Sequence, residues 1–120
     1  MLKNLRDCEE FIAGDGSILR ELLHPDKADV PVRYSLAHAR VVAGHRTTPH
    51  KLKSCEVYYI IEGQGRMHID SESFDVGPES AICIRPNSVQ YIENTGDYDL
   101  VFLCIVDPAW RREDEQVLDR

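Results

Sequence analysis

Seven short apolar or β-branched runs, cut apart at regular intervals by Gly, Pro, Asn and Asp, constrain this chain more than any other feature. The runs are Val32–Leu36, Arg40–Val42, Val57–Ile61, Met67–Ile69, Ala81–Ile84, Val89–Ile92 and Leu100–Val106. Between them lie Ala43–Gly44, Glu62–Gly65, Gly77–Pro78, Pro86–Asn87 and Asn94–Asp97. Short strands with turn punctuation at this spacing predict an antiparallel sandwich or barrel. Only Pro108 to Arg120 carries helix signals, with a proline suited to a first turn and charged residues behind it, so a short terminal helix or a frayed tail is expected there.

Two segments add chemistry to this pattern. The first, GHRTTPHKLKSCEVYYIIEG, spans 44–63 and sets Gly44, His50, Glu56 and Gly63 in order. The second, GPESAICIRPNSVQYIEN, spans 77–94 and leads from Pro86 to Gln90 and Asn94. This spacing resembles the cupin superfamily, whose first motif is Gly-x5-His-x-His-x3,4-Glu-x6-Gly and whose second runs from a Gly-Asp turn through Ile-Pro-x-Gly to a His and an Asn four residues on. Gly44, Thr48, Pro49, His50, Glu56, Gly63, Ile84, Pro86 and Asn94 fall in register with it. Leu52 and Gln90 stand where two histidines belong, Glu79–Ser80 replaces the Gly-Asp pair, and Asn87 takes the Gly position, where asparagine best tolerates a positive φ.

The resemblance covers about residues 34–106 and implies an all-β cupin barrel, a double-stranded β-helix or jelly roll, with 1–120 forming one domain. Within the superfamily the chain looks most like small single-domain proteins of the mannose-6-phosphate isomerase-like group. It further implies that His50, Glu56 and Gln90 hold a divalent metal (Mn, Fe, Ni or Zn) in the barrel mouth. A mixed nitrogen and oxygen set of this kind suits Mn, Fe, Ni or Mg better than a structural zinc. Glu56 and Tyr58 are then the candidate catalytic groups, acting on a small-molecule ligand in a metalloenzyme of isomerase or dioxygenase type. The alternative is a metal-free module that binds a sugar, sugar phosphate or small acid without turnover.

Alternation along the strands orders the side chains. With Glu62–Gly63 as a two-residue hairpin turn, Tyr58 pairs with Met67 and Glu56 with Ile69. Glu56, Tyr58, Ile60, Met67 and Ile69 then share one face, which the resemblance implies is the inner one because His50 and Glu56 belong to the family's inward set, and Val57, Tyr59, Arg66 and His68 share the outer. His68 is therefore not a substitute ligand. His45 lies in a Gly-His-Arg loop expected to face solvent, and the face of His38 stays open. Arg40 and Arg85 can each clamp a carboxylate or phosphate, although an ion pair with a surface acid is the commoner use of such residues. The outward strip Val57, Tyr59 and Ile61 predicts a homodimer.

Composition removes other classes. The chain has 120 residues, with 21 acidic against 14 basic side chains and a net charge of −7. No basic stripe tracks a phosphate backbone, so nucleic acid is not an expected partner. The opening MLKNLRDCEEF lacks the apolar centre of a signal peptide, and no run approaches the ~18 apolar residues of a membrane span. A cytoplasmic location without membrane contact is expected. Cys8, Cys55, Cys83 and Cys104 show no CxxC spacing and are expected to be buried, reduced thiols.

Overall fold

A computed structural model describes residues 1–118. Eleven strands form two antiparallel sheets. They are β1 (Glu10–Ile12), β2 (Ile18–Leu23), β3 (Ser35–Val41), β4 (His50–Leu52), β5 (Cys55–Glu62), β6 (Gly65–Ile69), β7 (Glu72–Val76), β8 (Ala81–Ile84), β9 (Gln90–Asn94), β10 (Leu100–Asp107) and β11 (Glu115–Val117). The first sheet runs β1-β2-β3-β10-β5-β8 and the second β11-β4-β9-β6-β7. From β3 onward the chain crosses from one sheet to the other at every step except β6 to β7, so the two inner faces close on one core. This is the jelly-roll barrel that the cupin resemblance implies, one form of the antiparallel sandwich or barrel that the strand and turn pattern predicts.

The expected β5–β6 hairpin does not form. β5 pairs with β10 and β8, whereas β6 pairs with β7 and β9. The chain instead turns a corner between sheets at Gly63, whose φ is +93°. A two-residue hairpin would keep both strands in one sheet and leave the other without β6. The corner preserves the facing order all the same: Glu56, Tyr58, Ile60 and Met67 are buried, Ile69 is half-buried, and Tyr59 is exposed. His68 faces outward, where it stacks on Tyr91 with ring centroids 4.1 Å apart and bonds to the Glu93 carboxylate.

One apolar cluster fills the barrel, with Ala39, Val41, Ile60, Met67, Val76, Ile82, Ile84, Ile92, Leu100 and Phe102 at its centre. Tyr58 packs its ring 4.5 Å from that of Phe102, so an aromatic wall separates the core from the polar end of the barrel. Buried Asn94 fastens one corner: its Nδ2 donates to the carbonyls of Val41 at 2.8 Å and Tyr98 at 2.7 Å, and its Oδ1 accepts from the Gly96 amide at 2.9 Å. Asn87 has a φ of +67°, as its glycine-like position requires, and Glu79 reaches +74° in the turn where the family pattern places Gly-Asp.

The terminal segment is a tail, not a helix. A single 3-10 turn at Arg112–Asp114 leads into β11, which pairs with β4. Pro108 and the charges behind it signal a first turn, but pairing to the free edge of β4 satisfies the backbone better than a short isolated helix would. Asp119 and Arg120 lie outside the described residues. No helix among the described residues is long and apolar enough to cross a membrane.

Candidate active site

The open end of the barrel encloses a cavity of about 410 Å³. His50 reaches it because the loop before β4 is pinned at both ends. Buried Thr47 exchanges bonds with Ile92, its amide donating to the carbonyl and its Oγ1 accepting the amide, each at 2.9 Å. The Thr48 amide then donates to the carbonyl of Asp15 at 2.7 Å, tying this loop to the β1–β2 turn. His50 Nδ1 lies 2.9 Å from the Thr48 carbonyl. A carbonyl only accepts, so Nδ1 carries the proton and Nε2 keeps its lone pair. Nε2 turns into the cavity with Asp15 Oδ2 at 3.7 Å, outside hydrogen-bond reach.

Asp15 is held for this position. Its Oδ1 accepts from the Ser17 amide at 3.0 Å and the Ser17 hydroxyl at 2.6 Å. Glu115, carried in by β11, faces the same cavity. Burial raises its pKa, and the nearby His50 works against that rise. Trp110 completes this side. Its amide donates to Ser35 Oγ at 2.9 Å, and His24 Nε2 bonds to its carbonyl at 2.6 Å.

A second chain of bonds crosses the cavity floor. Gln90 stands opposite His50 on the adjacent strand. The Tyr58 hydroxyl donates to Gln90 Oε1 at 3.0 Å, and Gln90 Nε2 donates to Glu56 Oε1 at 3.0 Å. Burial pushes the Glu56 carboxyl up to about 8, the Gln90 bond opposing and Asp15 adding to the rise. Near neutral pH Glu56 thus holds a proton. Burial lifts the Tyr58 hydroxyl well above its ordinary range, which keeps it a donor.

His50, Glu56, Tyr58 and Gln90, singled out from sequence, therefore come together, and buried Leu52 packs among them as a cavity wall. Their geometry does not suit a metal ion. Both ends of the Gln90 amide are engaged by Tyr58 and Glu56, and among the described residues no three His, Cys, Asp or Glu side chains are grouped to hold an ion. Other candidates lie elsewhere. His45 is exposed, and its ring bonds to the Ala43 carbonyl. His38 alternates with buried Ala39 on β3 and faces outward, its pKa lowered by partial burial and then by Arg20. Arg40 bridges Glu10 at 3.1 Å and Asp99 at 3.2 Å on the surface. Arg85 lines a separate recess on the flank of the barrel. Asp15 and Glu115 are what the sequence did not reveal; the one signal was the Asp-Gly-Ser turn at 15–17, ordinary in any loop.

Fold and motif point the same way as the known relatives. The family model described as the Cupin domain matches residues 37–106, and the chain belongs to that family. It is 44% identical over 110 residues to Uncharacterized protein MJ1618 of Methanocaldococcus jannaschii, across 91% of this chain and 87% of that one. Among solved structures, Streptomyces PAC13 with uridine superposes with a TM-score of 0.80 at 21% identity, covering 98% of this chain and 89% of that one. The same protein is described elsewhere as a nucleoside dehydratase. A predicted oxalate decarboxylase of Thermotoga maritima gives 0.77 at 22% identity, covering 90% and 99%. Bacillus subtilis oxalate decarboxylase gives 0.80 at 23% identity, but this chain spans only 30% of it. These likenesses establish the barrel.

Proposed function

We propose that this cupin binds a small organic molecule in the barrel mouth and acts on it by proton transfer between His50 and Glu56, without a resident metal. The observation that carries this reading is a pair of groups in opposite states facing one cavity. His50 Nε2 offers a lone pair, and Glu56 carries a proton near neutral pH. An imidazole nitrogen and a protonated carboxyl that face one cavity are suited to base and acid roles. Asp15 steadies the imidazolium that forms when Nε2 takes a proton, as a neighbouring carboxylate does in other proton-transfer sites. Tyr58 and Gln90 are positioning residues that aim the Glu56 carboxyl. The cavity, at about 410 Å³, falls in the usual size range for small-molecule pockets. The structural neighbour solved with uridine makes nucleosides a sensible first ligand class, with sugars and small acids behind them.

The test is a thermal-shift series on protein stripped with chelator, run with Mn, Fe, Ni and Zn and with uridine, hexoses, formate and oxalate. At about 100 times its Kd a ligand adds roughly 2.7 kcal/mol of stability, a shift of several degrees. Stabilisation by an organic ligand that survives chelation and disappears in His50→Ala is the expected result. Stabilisation by a divalent ion that vanishes in the same variant would replace this reading with a metal centre on His50.

The outer face of β5 supports a second copy of the chain as partner, because Tyr59 is 41% and Ile61 42% exposed beside half-buried Val57. Light scattering should give twice 13.7 kDa in the parent and a smaller mass in Tyr59→Lys/Ile61→Lys. A monomeric parent at micromolar concentration rules the dimer out.

A further inference from the structure

Two of the four cysteines contradict the expectation of buried thiols, and they do so together. Cys8 and Cys104 are buried, but Cys83 is exposed and Cys55 half-buried. Cys55 on β5 and Cys83 on β8 both point away from the barrel, since each alternates with inward residues, Glu56 on one strand and Ile82 and Ile84 on the other. β5 and β8 are antiparallel neighbours in which Val57 faces Cys83 and Glu56 faces Ile84, so Cys55 lies one diagonal step from Cys83 on a shared face. Diagonal neighbours of this kind stand about 7–8 Å apart at Cα and less at Cβ.

We infer that Cys55 and Cys83 form a reversible redox pair, closing to an intramolecular disulfide when a peroxide oxidises Cys83. A diagonal of this length is near the upper limit for a disulfide, so closure needs a small movement of one strand. β8 is free to make it. It is the last strand of its sheet and pairs with β5 alone. Exposure makes Cys83 the thiol that meets the oxidant, and a recess of about 290 Å³ beside it gives a peroxide room to approach. The thiolate of Cys83 attacks one peroxide oxygen and breaks the O–O bond, giving a sulfenic acid and hydroxide. The Cys55 thiol then attacks that sulfur, expelling water as the S–S bond forms; its proton ends in that water. Per disulfide, two thiols lose two electrons and one hydrogen peroxide becomes two waters.

Cys55 suits the second step better than the first. Burial raises its pKa and the adjacent Cys83 thiol adds to the rise, so it stays a protonated reserve beside the exposed partner. A bond made across a long diagonal stores strain and is easily reduced, as in labile, regulatory disulfides.

The experiment treats native protein with stoichiometric hydrogen peroxide, counts free thiols, and maps disulfide peptides by mass spectrometry before and after dithiothreitol. The expected result is a fall from four thiols to two, a Cys55–Cys83 peptide 2 Da lighter than the two reduced halves, and full recovery on reduction. In Cys55→Ser the pair cannot close, and Cys83 should be found as a sulfenic acid trapped by dimedone. Four surviving thiols, a Cys83–Cys83 bond between two chains, or over-oxidation of Cys83 in the parent while Cys55 stays free would each overturn the inference.

Discussion

Replacing Glu56 by Gln should stabilise the protein progressively as pH rises, by roughly 3–5 kcal/mol at pH 8 and above. The sign follows from where the proton sits. The Glu56 pKa is lifted from 4.5 to about 8 by burial, so between these values the folded protein holds a proton that the unfolded chain has released. Stability depends on pH as the difference in protons bound, and here the native state binds more. The contribution of the protonated carboxyl is complete below about pH 4.5 and is lost as pH climbs to about 8. Each unit of displacement is worth about 1.4 kcal/mol. Gln keeps the oxygen that accepts from Gln90 and removes the titration. Denaturant melts of parent and variant from pH 4 to 9 should therefore diverge steadily. Parallel curves would mean that Glu56 ionises as freely in the barrel as in water, and the acid role proposed for it would go too.

Gly63→Ala should be the most damaging single methyl in the chain, costing about 3 kcal/mol or more and lowering Tm by on the order of 10 °C. A Cβ there would sit 2.6 Å from the Asp99 carbonyl oxygen and 2.8 Å from the Leu100 Cα, both backbone and unable to swing aside. The left-handed φ of +93° adds its own penalty. Gly44 provides the control. It also has a positive φ, +82°, yet nothing lies within 4 Å of the added carbon. Gly44→Ala should lose only about 1 kcal/mol. Equal losses at both positions, measured by calorimetry, would show that backbone strain and not the crowding against the start of β10 governs the corner.

The two positions also show how far the sequence could be read. Period-two alternation placed Glu56, Tyr58, Ile60 and Met67 inside and His68 outside, because facing is a local property of a strand. Which strand pairs with which is not local. Glu62–Gly63 reads equally well as a hairpin turn or as a corner between sheets, and only the packing of Leu100 against it decides. Strands β1, β2, β4, β7 and β11 escaped notice: β1, β4 and β11 are only three residues long, Glu72–Val76 is mostly exposed, and in Ile18–Leu23 the apolar residues come in pairs around Arg20–Glu21 without a period of two. The spacing of His50, Glu56 and Gln90 located the site, but the hydrogen bonds that commit Gln90 to its neighbours come from residues 32 and 34 positions away. Asp15 was invisible for the same reason.

The route of the chain around the cavity has a consequence for the order of assembly. Asp15 arrives on the turn after β1, whereas Glu115 arrives on β11, one hundred residues later, and the two segments touch where Gly14 meets the Glu115 carboxylate. During synthesis, residues 1–107 already contain every strand of both sheets except β11. A nascent barrel can thus collapse around Phe102 and Ile60 while its mouth still lacks Trp110, Arg112 and Glu115. Wall and rim of the pocket thus come from distant parts of the chain, and the rim segment is made only after every strand of the barrel wall.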